Sequence, residues 1–482
     1  MADGDRLAPA RDTLAPPCPA LFPPREERER REELLTQALF ETGARVAEGA
    51  VAPTLDLAVF RDELAAFDFS APMPVMCWVV DQMERGVTHT THPRYFGLFN
   101  PAPSFPAQCA DRIAAAFNPQ LATATTSPAA VEIETHTIRA VARRAGLPEG
   151  SAGHFTTGGA EANYTALLCA LTRAEPGFAA KGARAFAGEP VFYVSRESHL
   201  AWFKIAHQAG IGRNAVHLIA TDGTGRMDTG ALADAIGDDR AAGRVPAMVV
   251  ATAGTTNAGM VDPLGRCAAI ARMAGMWLHV DAAWGGAAIA SAAMRDALAG
   301  IELADSVTMD AHKWFATTMG CGMFLTRHPD ALAATFQIAT SYMPPNRGGV
   351  DPYANSLQWS RRFLGLRLFM SLAAAGWGGY AQHVERCAAL AGAIEAGLLA
   401  RGWSIANGSR LAVVCAEPPP GSADIRTIVA RVLASGRAWV SAAEFEGRPV
   451  VRACVTHGET SAADAAALVD ALDAASRAPS FD

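Results

Sequence analysis

No stretch of the sequence approaches about eighteen uninterrupted apolar residues, so no transmembrane helix is expected. The opening MADGDRLAPARD carries acidic residues and lacks an apolar core, so it does not read as a secretory signal. There is no basic stripe, and the formal net charge of −7 argues against a nucleic-acid partner. The nine cysteines run from Cys18 to Cys454 without one CxxC pair. Such an unpatterned set points to reduced thiols in the cytoplasm and away from a disulfide framework or a metal site. Aromatic residues are modest at 7% and charged residues reach only 18%, while half of the chain is hydrophobic. That balance suits a soluble enzyme rich in Ala and Gly. With 482 residues, two or three domains and a large core are expected.

Composition divides the chain into four stretches. Residues 1–24, with LAPPCPALFPP, read as a flexible tail. Residues 25–95 read as an N-terminal helical segment opened by REERERREELLTQALF, which forms either a solvated surface helix or one that docks on a second subunit. Residues 96–345 alternate apolar β-like runs with helical ones. Strands are legible at 191–195, 215–220, 246–254, 277–283 and 321–327, with helices at Asn163 to Ala174, Thr229 to Ala242 and Leu264 to Ala274. Uninterrupted apolar strands alternating with helices predict an α/β fold with a mostly parallel sheet covered on both faces. Ligands of such sheets sit beyond the strand carboxyl ends. Residues 346–482 read as a small C-terminal α+β domain. A helical stretch at 356–376 and a long helix at 380–401 lead into strands RLAVVCAE, AWVSAAEFE and PVVRACVT, with helices near 423–434 and 461–476.

Polar residues stand at several strand ends. Lys313 follows the run SVTMDAHKW, a place where a lysine is poorly suited unless its amine is used. Desolvation and neighbouring cations make an amine nucleophilic, although most lysines are simply solvated. Asp281, in WLHVDAAWGG, either caps a turn or pairs with a cation. TTGGAEANYTALLCAL (156–171) is a glycine-rich turn opening a helix. At Gly158, Gly159 and Ala160, backbone amides can approach a phosphate, although paired glycines are also common in plain loops. TAGTTNAGMVDP (252–263) offers Thr255, Thr256 and Asp262 or is a polar loop, and His199 in SRESHLAW is a structural or a catalytic histidine.

In chain order, GGAEAN, SRESH, GTTNAG, HVDAAWGG and DAHKW resemble the group II amino-acid decarboxylases that depend on pyridoxal phosphate (PLP), a family that includes aromatic-amino-acid, glutamate and cysteine-sulfinate decarboxylases. The resemblance spans roughly residues 70 to 480. It implies PLP fold type I, with a mostly parallel, seven-stranded type of sheet flanked by helices. It also implies a homodimer whose active site is shared between subunits, with residues 1–90 exchanged. By resemblance, Lys313 holds the cofactor as a Schiff base, Asp281 partners the pyridine nitrogen and His199 stacks on the ring. Gly159, Ala160 and His312 contact the phosphate, with Thr256 and Ala283 nearby. Tyr342, in the Pro/Gly-rich ATSYMPPNRGG, matches the loop tyrosine that returns a proton to Cα after carbon dioxide leaves. Relatives that form aldehydes oxidatively commonly carry Phe there, so Tyr342 favours simple decarboxylation.

The substrate is an amino acid, and its side chain is less legible. THTTHPRYFGLFNPAPSFP (88–106) resembles the family's substrate segment. Thr90 and Leu98 stand where aromatic-specific relatives typically carry Trp and Tyr, and LATATT (121–126) lacks their aromatics. Leu98 and Phe99 are nevertheless apolar, and no arginine is evidently placed to clamp an acidic side chain; Arg94 reads as an exposed loop residue. The expectation is therefore a neutral, aromatic or hydrophobic substrate. The alternatives are a small or acidic amino acid, or another PLP reaction such as aldehyde synthesis or transamination. A non-catalytic binding role is opposed by Lys313, Asp281 and His199.

Overall fold

The computed structural model describes residues 20–65, 67, 75–338 and 349–477, so Tyr342 lies outside the described residues. The chain separates into two compact units, residues 1–89 and 90–482. The first unit carries helices Arg25–Glu48, Leu57–Ala65 and Met76–Gly86. Its charged opening is a helix directly after Pro24, laced by the ion pairs Arg25–Glu29 and Arg31–Glu27. Arg45 reaches Glu84 at 2.7 Å, whereas Leu39, Phe40, Val79 and Met83 are exposed.

The second unit is built on a seven-stranded sheet. Its strands are β1 (Ala152–Thr156), β2 (Pro190–Ser195), β3 (Val216–Ile219), β4 (Val245–Thr252), β5 (Trp277–Asp281), β6 (Ser306–Asp310) and β7 (Gly322–Thr326). Their order is β1-β7-β6-β5-β4-β2-β3; β7 alone runs antiparallel to its neighbours. Every residue of β2, β5, β6 and β7 is buried, as expected when helices cover both faces. The helix Thr229–Ala241 starts where Asp228 accepts from the amides of Gly230 and Ala231. Helix Phe105–Phe117 begins under Ser104 and stops at Asn118 in the left-handed region. Among the described residues, no helix is long and apolar enough to cross a membrane.

The second sheet comprises β8 (Ser404–Ile405), β9 (Val413–Glu417), β10 (Ser441–Phe445) and β11 (Arg448–Cys454), ordered β10-β11-β9-β8 and antiparallel throughout. Its buried Val413, Val414 and Val451 join the same apolar core as Val280 and Met309 of the large sheet.

The expected helix over 356–376 begins only at Leu366 and continues to Leu399, broken at Gly376 where φ is +61°. Buried ionic bonds account for the late start. Arg361 gives Nη1 to the Phe155 carbonyl and Nη2 to Glu134, and Glu134 also accepts the Gly365 amide at 2.8 Å. Those bonds tie down residues 361–364, and the helix starts after Gly365.

His154, on β1, is buried with neither ring nitrogen bonded among the described residues. Burial pushes its pKa down to about 3. The unfolded chain therefore binds this proton below pH 6.5 while the folded chain refuses it, so stability falls as pH drops from 6.5 towards 3. His154→Leu is expected to remove this contribution. Between pH 6.5 and 5 the variant should lose about 2 kcal/mol less than the unmodified protein, read from urea midpoints. Equal losses would show that His154 does not titrate this way.

Candidate active site

Because β1, β2, β4, β5 and β6 point the same way, their carboxyl ends share one edge of the sheet. The loops beyond them enclose a cavity of about 420 Å³. Gly158, Gly159 and Ala160 reach it after β1, His199 after β2 and Thr256 after β4. Asp281, Ala283 and Trp284 border it at the end of β5, and Asp310, His312 and Lys313 at the end of β6. Leu98 and Phe99 also line it, whereas Thr90 does not. Arg94 points elsewhere and donates Nε to Asp464 at 2.9 Å.

Lys313 Nζ lies 2.9 Å from Asp310 Oδ2, in a turn where the Lys313 amide also donates to the Asp310 carbonyl. The other carboxylate oxygen of Asp310 is buried and unbonded among the described residues. His312 accepts the Cys321 amide at Nδ1, so its neutral ring carries the proton on Nε2, and burial lowers its pKa. Asp281 is buried; Oδ1 accepts from the Ala283 amide at 3.1 Å and Oδ2 from Asn163 Nδ2 at 2.8 Å. His199 is exposed on the rim and accepts the Ala201 amide at Nδ1. Desolvation by the surrounding walls still lowers its pKa, with Asp281 opposing.

The glycine turn is set by crowding. A Cβ at Gly159 would stand 2.9 Å from Asp310 Oδ2 and 3.4 Å from the Ala283 methyl. The helix Gly159–Ala174 begins there, and its first amides have no intrahelical acceptor, which makes the turn a ready anion site. Thr255 and Asp262, by contrast, serve the loop itself. Thr255 Oγ1 accepts the Met260 amide, and Asp262 accepts those of Met227 and Thr252.

One wall is aromatic. Phe99 stacks on Trp284 with centroids 4.3 Å apart, and Trp284 is pinned by Nε1 donating to the Gly254 carbonyl. The Arg452 guanidinium carbon lies 4.6 Å from the Phe99 ring centroid. Phe99 has φ of +66°, unusual for a bulky residue, and its ring packs against both Trp284 and Arg452. Arg452 is itself buried, with Nη1 on Ser441 Oγ and with Nε and Nη2 unbonded among the described residues.

Asn163, Asp310, Trp284 and Arg452 were not singled out from the sequence. Each left a trace there: an asparagine just inside a helix, an acid three residues before Lys313, a tryptophan beside Asp281 and a lone charge within the apolar run PVVRACVT. The cavity thus holds an amine, a buried carboxylate about an enclosed space and a helix N-terminus. These residues fit a phosphorylated pyridine aldehyde, which needs those three partners.

Comparison with known proteins agrees. The pattern of the pyridoxal-dependent decarboxylase conserved domain matches residues 76–416. An aromatic-L-amino-acid decarboxylase of Bacillus atrophaeus is 29% identical over 427 residues, covering 85% of this chain and 87% of its own. A tyrosine decarboxylase of Oryza sativa subsp. japonica is 34% identical over 387 residues, covering 76% and 72%. In fold, the crystal structure of Oryza sativa TDC with PLP and tryptamine superposes with a TM-score of 0.88 at 24% identity, covering 94% of this chain and 98% of that one. With the family pattern matched over most of its length, the chain belongs to the pyridoxal-dependent decarboxylase family and is a PLP-dependent amino-acid decarboxylase.

Proposed function

We propose that the enzyme decarboxylates a neutral, aromatic or hydrophobic L-amino acid to its amine, and that it works as a cytoplasmic homodimer. The observation carrying the substrate reading is the wall of Leu98, Phe99 and Trp284 facing the Lys313 cavity. An apolar side chain laid on it loses water without leaving a buried polar group unpaired.

In this reading Lys313 would hold PLP covalently through Nζ. The Gly159 and Ala160 amides with His312 would take its phosphate, and Asp281 the ring nitrogen. His199, whose pKa is lowered by desolvation, would offer a flat face to the ring, with Thr256 and Ala283 beside it. When bound, PLP supplies an electron sink for the bonding pair left behind as carbon dioxide departs. The protein's part is to orient the Cα–carboxylate bond and to exclude water. Tyr342 is proposed to return a proton to Cα. For the homodimer, the exposed Leu39, Phe40, Val79 and Met83 of the first unit are support, since a second copy would bury them.

A screen of the amino acids for carbon dioxide and amine release tests the substrate. The aromatic and aliphatic set should turn over fastest; equimolar aldehyde and hydrogen peroxide in place of amine would reject simple decarboxylation. Tyr342→Phe is expected to retain PLP and to lose amine formation by about 10²-fold or more, the usual reach of a positioned acid. Unchanged amine output would remove Tyr342 from the mechanism. A second reading has one observation in its favour. The unbonded Nε and Nη2 of Arg452 could clamp a carboxylate, so an acidic substrate leading the screen would select it.

A further inference from the structure

Behind Asp281 runs a line of buried polar side chains that the reading above does not use. Asp281 Oδ2 accepts from Asn163 Nδ2 at 2.8 Å, and Asn163 Oδ1 lies 3.0 Å from His279 Nε2. His279 Nδ1 lies 2.8 Å from Ser306 Oγ, which accepts from Trp277 Nε1 at 2.8 Å. Trp277, His279 and Ser306 are almost wholly inaccessible, and Asn163 is 3% exposed. The sequence brackets this chain in two motifs, GGAEAN and WLHVD, and adds Ser306 at the start of β6.

The two ends decide its direction. An indole N–H only donates, and a carboxylate only accepts. Trp277 therefore occupies a lone pair of Ser306, whose hydroxyl proton is left for His279 Nδ1. At the other end the Asn163 amide nitrogen faces Asp281, so its oxygen faces His279 and needs a donor. Both conditions are met by His279 neutral with its proton on Nε2, directed to Asn163 Oδ1 at 3.0 Å, with Thr308 Oγ1 a longer neighbour of the same nitrogen at 3.3 Å. The opposite tautomer sets two acceptors against each other at 3.0 Å. The doubly protonated ring is opposed by burial, which pushes the pKa down to about 3.

We propose that His279 is a positioning residue for the cofactor: through Asn163 it holds the Asp281 carboxylate in one orientation, as the acceptor for the ring nitrogen. This rests on the reading of Asp281 as the partner of that nitrogen. A free carboxylate would rotate between its amide partners, whereas an Asn163 side chain locked from behind leaves it one arrangement. The role is distinct from contact with cofactor or substrate, because His279 and Ser306 do not line the cavity.

The test uses the holoenzyme loaded with ring-¹⁵N pyridoxal phosphate and ¹⁵N-histidine labelling. In the unmodified enzyme, His279 is expected to show the Nε2–H tautomer from pH 6 to 8, and the Nδ1–H tautomer there would overturn the proposal. His279→Leu removes the donor to Asn163. Its ring-¹⁵N resonance should move towards the unprotonated position, and the dissociation constant for PLP should rise about tenfold, the usual effect of one buried hydrogen bond. His279→Gln, which can donate to Asn163 and accept from Ser306, should restore both; a merely packed residue would not be rescued in this way. Asp281→Ala separates the two readings. If it moves the ring resonance while His279→Leu does not, the proposal falls and the Asp281 assignment stands. If Asp281→Ala leaves the resonance in place, the Asp281 assignment falls and takes the proposal with it.

Discussion

Lys313→Ala is expected to lower decarboxylation on the order of 10³-fold or more and to abolish borohydride-fixed attachment of pyridoxal phosphate. The magnitude follows from losing both the covalent hold and the orientation that accompanies it. Mapping is unusually clean, because the chain has three lysines, Lys181, Lys204 and Lys313. Of these, Lys313 alone lines the cavity. A fixed adduct at Lys181 or Lys204 in the unmodified protein would reject the assignment. The substitution also strips the partner from Asp310, whose Oδ2 stands 2.9 Å from Nζ and whose Oδ1 is already unbonded. The unloaded variant should therefore be less stable, by about 1–3 kcal/mol for a partly screened pair. Lys313→Ala with Asp310→Asn should regain most of that stability and none of the attachment. Such an outcome separates chemistry from folding, which the single variant leaves mixed.

The largest effect on stability is expected at Arg361→Met. Arg361 and Glu134 are both nearly inaccessible, 2.5 Å apart, and Glu134 also accepts the Gly365 amide. Burial pushes the Glu134 carboxyl up and the Arg361 guanidinium opposes it. Without Arg361 the carboxylate is stranded, at a cost of about 3–5 kcal/mol. It also frees the Phe155 carbonyl on β1 and the turn that delays the helix until Leu366. Arg361→Met with Glu134→Leu should recover most of the loss, since two apolar groups leave nothing buried and unpaired. Urea midpoints of the two variants check this. If the double variant is as unstable as the single one, the cost lies in packing rather than in the stranded charge.

Much of the frame was readable from local pattern, for identifiable reasons. Strands covered on both faces are continuous apolar runs, so β2, β4, β5 and β7 announced themselves within one or two residues of their observed bounds. Polar residues at the ends of such runs must face the sheet edge, which is why Lys313, Asp281 and the Gly159 turn could be picked out without coordinates. β1 was harder, because AGHFT is short and mixes a glycine and a histidine into its apolar pattern. The false helical start at 356–365 has a different origin. Helical periodicity is present there, but a buried ion pair formed with Glu134, more than two hundred positions earlier, outweighs it.

The sequence by itself determined the alternating α/β frame, the strand-end lysine and aspartate, and the family they imply, because each depends on residues within a few positions of one another. Only the tertiary structure decided what surrounds them. It set Arg452 and Trp284 against the Phe99 ring and ran Trp277, Ser306, His279 and Asn163 in line behind Asp281. Those pairings join segments far apart in the chain, and no local periodicity encodes them. They follow from strand order, which places β5 beside both β4 and β6, and from the need of every buried donor and acceptor for a partner.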